Sequence, residues 1–231
     1  MQRFCTLIVL AVLLLQGCNL DSFQEDEQVF VFGSMQKSES DDFYIVDDLG
    51  KKSLLRGIKI NDTVINKRFY IEGKMPRDMK VDNYDYVINV TINEISTIYE
   101  PLVIDNQAYI DSINNSTVAI NDSRIIQTGK YLNLWVEFIA YEAKLHKFTY
   151  AINFAAQTDD ANVIKVYLCH DKNSDPLNEL VIQKPLIQSL DLTTIFDRMY
   201  GEEIKFVLIY KDYNGAVQEK MLQIVNPNTN R

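Results

Sequence analysis

Tyr131-Leu132-Asn133-Leu134-Trp135-Val136-Glu137-Phe138-Ile139-Ala140-Tyr141 places Leu132, Leu134, Val136, Phe138 and Ala140 at every second position. Side chains alternate between the two faces of a strand, so this spacing predicts a strand with one face committed to a core. Downstream, Phe148, Tyr150, Ile152 and Phe154 repeat the pattern, and so do Ile164, Val166 and Leu168. Ile204 to Lys211 and Val217 to Val225 flank Asn214-Gly215, a dipeptide that permits the positive φ values of a type I′ turn and so predicts a hairpin. Thr193 to Tyr200 reads as a helical turn between strands. About seven strands within residues 123–231 suit an immunoglobulin-like β-sandwich.

Upstream, Tyr84 to Ile98 alternates Tyr84, Tyr86, Ile88, Val90 and Ile92 with polar neighbours such as Asp85, Asn89, Thr91 and Asn93, and Pro101 ends it. Val29 to Lys37, Phe43 to Asp47 and Lys67 to Gly73 are further strand candidates, with a turn at Asp48-Leu49-Gly50. These short strands predict a small barrel of the oligonucleotide/oligosaccharide-binding (OB) type over residues 29–104. Residues 105–122 are polar and Asn-rich and read as a linker, with a short helix over Gln107 to Ile113. The expected fold is therefore all-β: an OB-like barrel followed by a sandwich.

The N-terminus carries an address. Arg3 precedes an apolar run from Leu7 to Leu15, and Leu15-Gln16-Gly17-Cys18 closes it. This order marks a secretory signal, and its apolar run is too short to span a bilayer. The cysteine after Gly17 makes it resemble a bacterial lipoprotein signal. The resemblance implies cleavage between Gly17 and Cys18 and lipidation of Cys18. Residues 1–17 are then the signal peptide and residues 18–28 an acidic tether containing Asp21, Glu25, Asp26 and Glu27. Acidic residues after a lipidated cysteine resemble an outer-face export signal of one phylum of Gram-negative gut bacteria. Each buried methylene adds roughly 0.8 kcal/mol, so several acyl chains would hold the protein at the membrane. Of the other cysteines, Cys5 leaves with the signal and only Cys169 remains, which excludes an intrachain disulfide in the mature chain.

Charge narrows the partners. The chain carries −9, and removing residues 1–17 leaves 22 basic against 32 acidic residues, a net −10. Nucleic acid is an unsuitable partner for such a chain, because its phosphates need basic surface. Within residues 51–80 the balance reverses: Lys51, Lys52, Arg56, Lys59, Lys67, Arg68, Lys74, Arg77 and Lys80 face only three acids, a local +6. If gathered on one face, they would form a basic patch for an anionic surface; strand alternation instead scatters them into solvent.

Catalytic patterns are missing. Cys169 and His170 are neighbours on a predicted strand and point to opposite faces, which excludes a local dyad. Neither a nucleophile-elbow motif nor a Gly-rich phosphate loop occurs. Asp171-Lys172-Asn173-Ser174-Asp175 begins like a calcium loop, but Pro176 and Ile182 stand where a glycine and a bidentate glutamate would be needed. Acid pairs such as Asp41-Asp42, Asp47-Asp48 and Asp159-Asp160 fall at turns, where they cap and solvate. No enzyme activity, metal or cofactor is expected. Tyr131, Trp135 and Tyr141 are assigned to the face opposite Leu132 and are a candidate aromatic face for sugars or a protein, the alternative being that Trp135 packs under a loop, under the Thr193 to Tyr200 turn or against the barrel. Asp62-Thr63-Val64 and Asp111-Ser112-Ile113 resemble a bacterial O-glycosylation motif, which makes Thr63 and Ser112 candidate modification sites.

The order of lipoprotein signal, acidic tether, barrel and sandwich is joined by Gly129-Lys130-Tyr131-Leu132-Asn133-Leu134 and Ile209-Tyr210-Lys211-Asp212-Tyr213-Asn214-Gly215. Together they resemble the NigD-like lipoproteins, which pair an N-terminal OB-type domain with a C-terminal β-sandwich. The family is named from a gene in a bacteriocin locus, which implies self-immunity or envelope handling of a toxin; it brings no catalytic residues with it. The expectation is a lipid-anchored outer-membrane lipoprotein, exposed at the cell surface or facing the periplasm. It acts as a non-catalytic binding or accessory module, with a bacteriocin-immunity role or a surface glycan-binding role as alternatives.

Overall fold

The computed structural model describes residues 26–59, 61–76, 79–114, 116–120, 124–156, 162–175, 181–183, 185–199 and 201–227. Five strands form the first unit: β1 (Glu27–Lys37), β2 (Phe43–Asp47), β3 (Lys52–Arg56), β4 (Arg68–Met75) and β5 (Tyr86–Ile95). They close in the order β1-β2-β3-β5-β4, with β3 parallel to β5 and the other pairs antiparallel. This is the strand order of an OB barrel. Met35, Ile45, Leu55, Phe69, Ile71 and Ile88 fill it, one inward residue from each turn of the pleat. Closure needs Gly73 at the bulge where β4 shifts register on β5: a Cβ there would sit 2.5 Å from the carbonyl oxygen of Asn89.

The second unit packs two sheets face to face. One contains β6 (Thr97–Tyr99), β10 (Tyr131–Ala140), β13 (Val181–Ile182) and β14 (Leu186–Asp191), with β8 (Val118–Ile120) and β9 (Ile126–Thr128) also on β10. The other runs β16 (Val217–Val225), β15 (Glu203–Lys211), β12 (Val163–Asp171), β11 (Lys147–Ile152), β7 (Leu102–Val103). Leu132, Leu134, Val136, Phe138 and Ala140 meet Tyr150, Ile152, Ile164, Val166, Leu168, Phe206 and Leu208 between the sheets. The all-β barrel-plus-sandwich expectation holds. The sandwich mixes in three parallel pairs, β6/β14, β7/β11 and β12/β15, where an immunoglobulin sheet is antiparallel.

The junction differs from the expected one. Thr97 to Val103 falls within the residues assigned to the barrel, yet β6 and β7 pair with sandwich strands, one in each sheet. The expected linker is also built in. Asn106 caps helix α1 (Gln107–Ile113) by accepting from Tyr109 N at 3.2 Å, and α1 turns Ile110 inward against Ala151 and Cys169. β8 then pairs with β10. The polar composition of this region conceals these contacts, because each short element buries only one or two apolar residues. Helix α2 (Thr193–Phe196) supplies the expected helical turn and buries Ile195 and Phe196; Tyr200, at its expected end, lies outside the described residues. The β15/β16 hairpin also forms, but its turn is not type I′. Gly215 N donates to Asp212 O and only Gly215 has positive φ, which is a type I turn closed by a glycine bulge. The Asp212 carboxylate selects it by accepting from Asn214 N and Ala216 N at 2.9 and 3.0 Å.

Among the described residues, one buried side-chain group is unsatisfied. Tyr150 donates to Gln188 Oε1 at 2.6 Å, and both side chains are fully buried. Gln188 Nε2 has no partner among the described residues. An orphaned buried donor costs about 1–3 kcal/mol, whereas removing both partners can be neutral or stabilising. Gln188→Met combined with Tyr150→Phe is therefore expected to raise the urea-unfolding free energy by ~1 kcal/mol. Gln188→Met alone should gain less, because it orphans the Tyr150 hydroxyl. A double variant less stable than the parent would refute this.

Candidate functional site

The loop after β1 and the loop before β5 rise on one side of the barrel and enclose a groove of about 460 Å³. Ser38, Ser40 and Asp42 line one wall, Asp82, Asn83 and Tyr84 the other, and Tyr44 of β2 and Lys52 of β3 form the floor. In an OB barrel, the face of strands 2 and 3 between these two loops is where ligands sit. The sequence builds both walls locally. Ser38 N donates to Asp42 O at 2.9 Å, Asp42 N donates to Ser38 Oγ at 3.1 Å, and Ser40 Oγ donates to Asp42 Oδ2 at 3.2 Å. Asp41 and Asn83 take left-handed backbone conformations, which Asx side chains tolerate. Asp85 then fixes the second wall: its N donates to Lys52 O at 2.8 Å and its carboxylate accepts from Lys52 N at 2.7 Å.

The groove is aromatic and rich in oxygen. The Tyr44 and Tyr84 rings meet edge to face with centroids 5.6 Å apart, and Lys52 Nζ lies 6.0 Å from the Tyr44 centroid. Glu39, Asp42 and Asp82 outnumber the single Lys52, so the groove repels anions. Hydroxyls, carboxylates and tyrosine faces together suit a neutral polyhydroxylated ligand. Sequence reasoning named Asp42, Lys52 and Tyr84 only as a turn acid, a member of a basic stretch and a strand residue, because a groove made by two separate loops leaves no local pattern.

The basic stretch is not one uniform surface. Lys51, Lys52, Arg56, Lys59, Lys67, Lys74 and Lys80 are exposed, and Arg77 lies outside the described residues. Lys52 and Arg56 sit at opposite ends of β3, about 13 Å apart at strand rise, and Lys74 lies across β5 from Arg56. Hydrogen bonding to Tyr86 raises the Lys51 ammonium above its ordinary pKa. Arg68 must be removed from the candidate patch. It is buried where barrel and sandwich meet and donates Nη1 and Nη2 to Asp48 at 2.5 and 2.6 Å. Its Nε donates to Ser189 Oγ at 2.9 Å and its Nη2 to Asn133 Oδ1 at 3.2 Å. Thr128 donates its hydroxyl to Asp48, and the Tyr131 ring covers the guanidinium with its centroid 4.1 Å away.

The aromatic face is corrected in the same place. Trp135 is only 4% exposed and packs edge-on against Phe32 and Tyr70 of the barrel. Tyr131 is spent on Arg68, and of the three only Tyr141 is exposed. The row faces the barrel because the barrel docks on that side of β10, which the strand's own alternation cannot reveal. Thr63 and Ser112 are both exposed, Thr63 in a 3-10 turn and Ser112 in α1; Gly17 and Cys18 lie outside the described residues.

A second constellation went unseen. His170 Nδ1 donates to Thr117 O at 2.9 Å, His170 Nε2 meets His146 Nδ1 at 2.7 Å, and His146 Nε2 meets Asp175 Oδ2 at 2.7 Å. Asp175, from the calcium-like stretch, therefore points inward, and it also accepts from Tyr141 N and Glu142 N. Pro176 lies outside the described residues. Burial lowers the His170 ring to about 4, so it is neutral at pH 7. A carbonyl can only accept, so His170 holds its proton on Nδ1 and its Nε2 accepts from His146. The other ring nitrogen of His146 faces the Asp175 carboxylate. Cys169 faces away, and burial pushes its thiol up to about 12, which keeps it unreactive.

No protein-family profile and no curated protein matches the chain. Solved structures do. The chain is similar to a protein of unknown function from Bacteroides vulgatus (TM-score 0.64, 16% identity, covering 87% of this chain and 93% of that one). It is similar to a NigD-like immunity protein from Bacteroides caccae (TM-score 0.56, 16% identity, 89% and 99%). A provisionally assigned lipoprotein from Bacteroides fragilis also matches (TM-score 0.58, 12% identity, 88% and 99%). Identities this low establish shared fold. The chain therefore has the NigD-like fold that its sequence resemblance implied.

Proposed function

We propose that the mature protein is a non-catalytic binding module, anchored through a lipid on Cys18 in the outer membrane of a Gram-negative bacterium and displayed at the cell surface. Its ligand is a neutral saccharide held in the barrel groove. The observation that carries this reading is the pair Tyr44 and Tyr84 rimmed by Ser38, Ser40 and Asp42 on the ligand face of the barrel. Aromatic faces stack on sugar C–H groups while hydroxyls and carboxylates bond the sugar hydroxyls. The test is a glycan array followed by titration of the best ligand. Tyr44→Ala and Tyr84→Ala are each expected to weaken binding roughly tenfold, about 1.4 kcal/mol, with little dependence on salt. Absence of array binding, or binding unchanged in both variants, overturns the saccharide reading. Protection of the protein from external protease on intact cells would overturn surface display.

A second reading, bacteriocin immunity, is favoured by the likeness to a NigD-like immunity protein. A deletion strain hypersensitive to a bacteriocin, with rescue by the Tyr44→Ala variant, would support it over the groove.

A further inference from the structure

β16 is the outer strand of its sheet and pairs only with β15 among the described residues. Its hydrogen bonds assign each backbone group a direction. Asp212 N donates to Ala216 O and Asn226 N donates to Glu202 O, so residues 216, 218, 220, 222, 224 and 226 address β15. The intervening residues point their amides out of the sheet. One of them is capped within the chain: Val225 N donates to Gln127 Oε1 at 2.8 Å and Val225 O accepts from Gln127 Nε2 at 2.7 Å. The Gln127 amide thus stands in for one residue of a neighbouring strand. Val217, Glu219, Met221 and Gln223 present outward amides with no neighbouring strand among the described residues. The same edge exposes apolar surface, with Val217 64%, Met221 68% and Val225 46% exposed. A long edge of this kind is a template for strand addition.

We infer that β16 pairs with β16 of a second copy, antiparallel about a two-fold axis at Met221, so that the two sheets become one. The strand is self-complementary in that register. Met221 meets Met221 of the second copy and Glu219 meets Gln223, while Val225 keeps its Gln127 cap. About six inter-copy hydrogen bonds form, from the outward amides of Glu219, Met221 and Gln223. Registers shifted toward the start of the strand are worse. With Glu219 opposite Met221, Lys220 faces Lys220; with Glu219 opposite Glu219, two carboxylates meet. The Gln127 cap limits the pairing at its Val225 end. This surface is distinct from the barrel groove and does not depend on the saccharide reading.

The test combines sedimentation of the purified protein with register-specific crosslinking. Sedimentation is expected to show a dimer at about 100 µM that Met221→Pro returns to monomer, since proline removes an outward amide and leaves the β15 ladder intact. Met221→Cys should crosslink to itself under mild oxidation, because opposed residues in such a pair have Cα atoms about 5.5 Å apart. Glu219→Cys should crosslink only when mixed with Gln223→Cys. A protein monomeric to about 200 µM without crosslinking at Met221→Cys would overturn the inference. So would a dimer that survives Met221→Pro.

Discussion

Arg68→Ala is expected to lower the unfolding free energy by roughly 3–5 kcal/mol and to loosen the barrel from the sandwich. Arg68 and Asp48 have side chains 2% and 7% exposed, so removing the cation strands a carboxylate away from water. Among the described residues, Thr128 would still donate to it. Asn133 and Ser189 would lose their charged donor as well, although Ser189 keeps its 2.6 Å bond to Asn133 Oδ1. The loss is larger than for a surface pair because no solvent can replace the guanidinium. Asp48→Ala should cost a similar amount, leaving Arg68 uncompensated. The combined Asp48→Leu, Arg68→Met variant should recover part of the loss, since it leaves neither charge stranded. Trp135 provides the readout, because it lies in the same interface against Phe32 and Tyr70. Its fluorescence should shift before the sandwich unfolds in Arg68→Ala, which splits one urea transition into two. A loss below about 1 kcal/mol, the range of exposed pairs, would show that the pair does not hold the units together.

Acid is expected to weaken the fold through His170. The ring is buried and its pKa is lowered to about 4, against an ordinary value of 6.5. As pH falls below about 6.5 the unfolded chain takes up this proton while the folded chain does not, so stability is lost down to about pH 4 and then levels for this group. At roughly 1.36 kcal/mol per pKa unit, the whole shift amounts to about 3 kcal/mol. Folded His170 cannot take the proton cheaply: its Nε2 already accepts from His146, and Phe148 stacks on its ring with centroids 4.5 Å apart. Urea titrations at pH 7, 5.5 and 4.5 should show the fall, and NMR should place the His170 titration near 4. A folded His170 that titrates at about 6.5 would remove the effect.

Neighbouring residues show how far sequence reasoning reaches. Asp47 and Asp48 are alike in sequence, and both were expected to cap a turn. Asp47 does so, accepting from Leu49 N and Lys51 N at 2.9 and 2.8 Å. Asp48 instead leaves the hairpin to meet Arg68 twenty residues away, in a pocket completed by Thr128 of the sandwich. The candidate groove divides in the same way. The strand that carries Tyr44 was legible, but its partner Tyr84, expected to open the next strand, lies in the loop before β5 and is brought over by barrel closure.

The sequence by itself determined the all-β class, the longer strands, the helix over Gln107 to Ile113, the sandwich core built on Leu132 to Ala140, and the N-terminal features that resemble a lipoprotein signal. All of these are local: period-two alternation, turn chemistry and a contiguous motif each act within a few residues. Only the tertiary structure decided which face of β10 the barrel covers. That face buries Trp135 and turns Arg68 from a surface cation into an interface anchor, while the strand order of the other sheet leaves the edge of β16 open. It also decided that His146, His170 and Asp175 converge. Alternation states that a strand has two faces, but which face meets solvent depends on segments up to 121 residues apart, as Arg68 and Ser189 are, and no local pattern records that pairing.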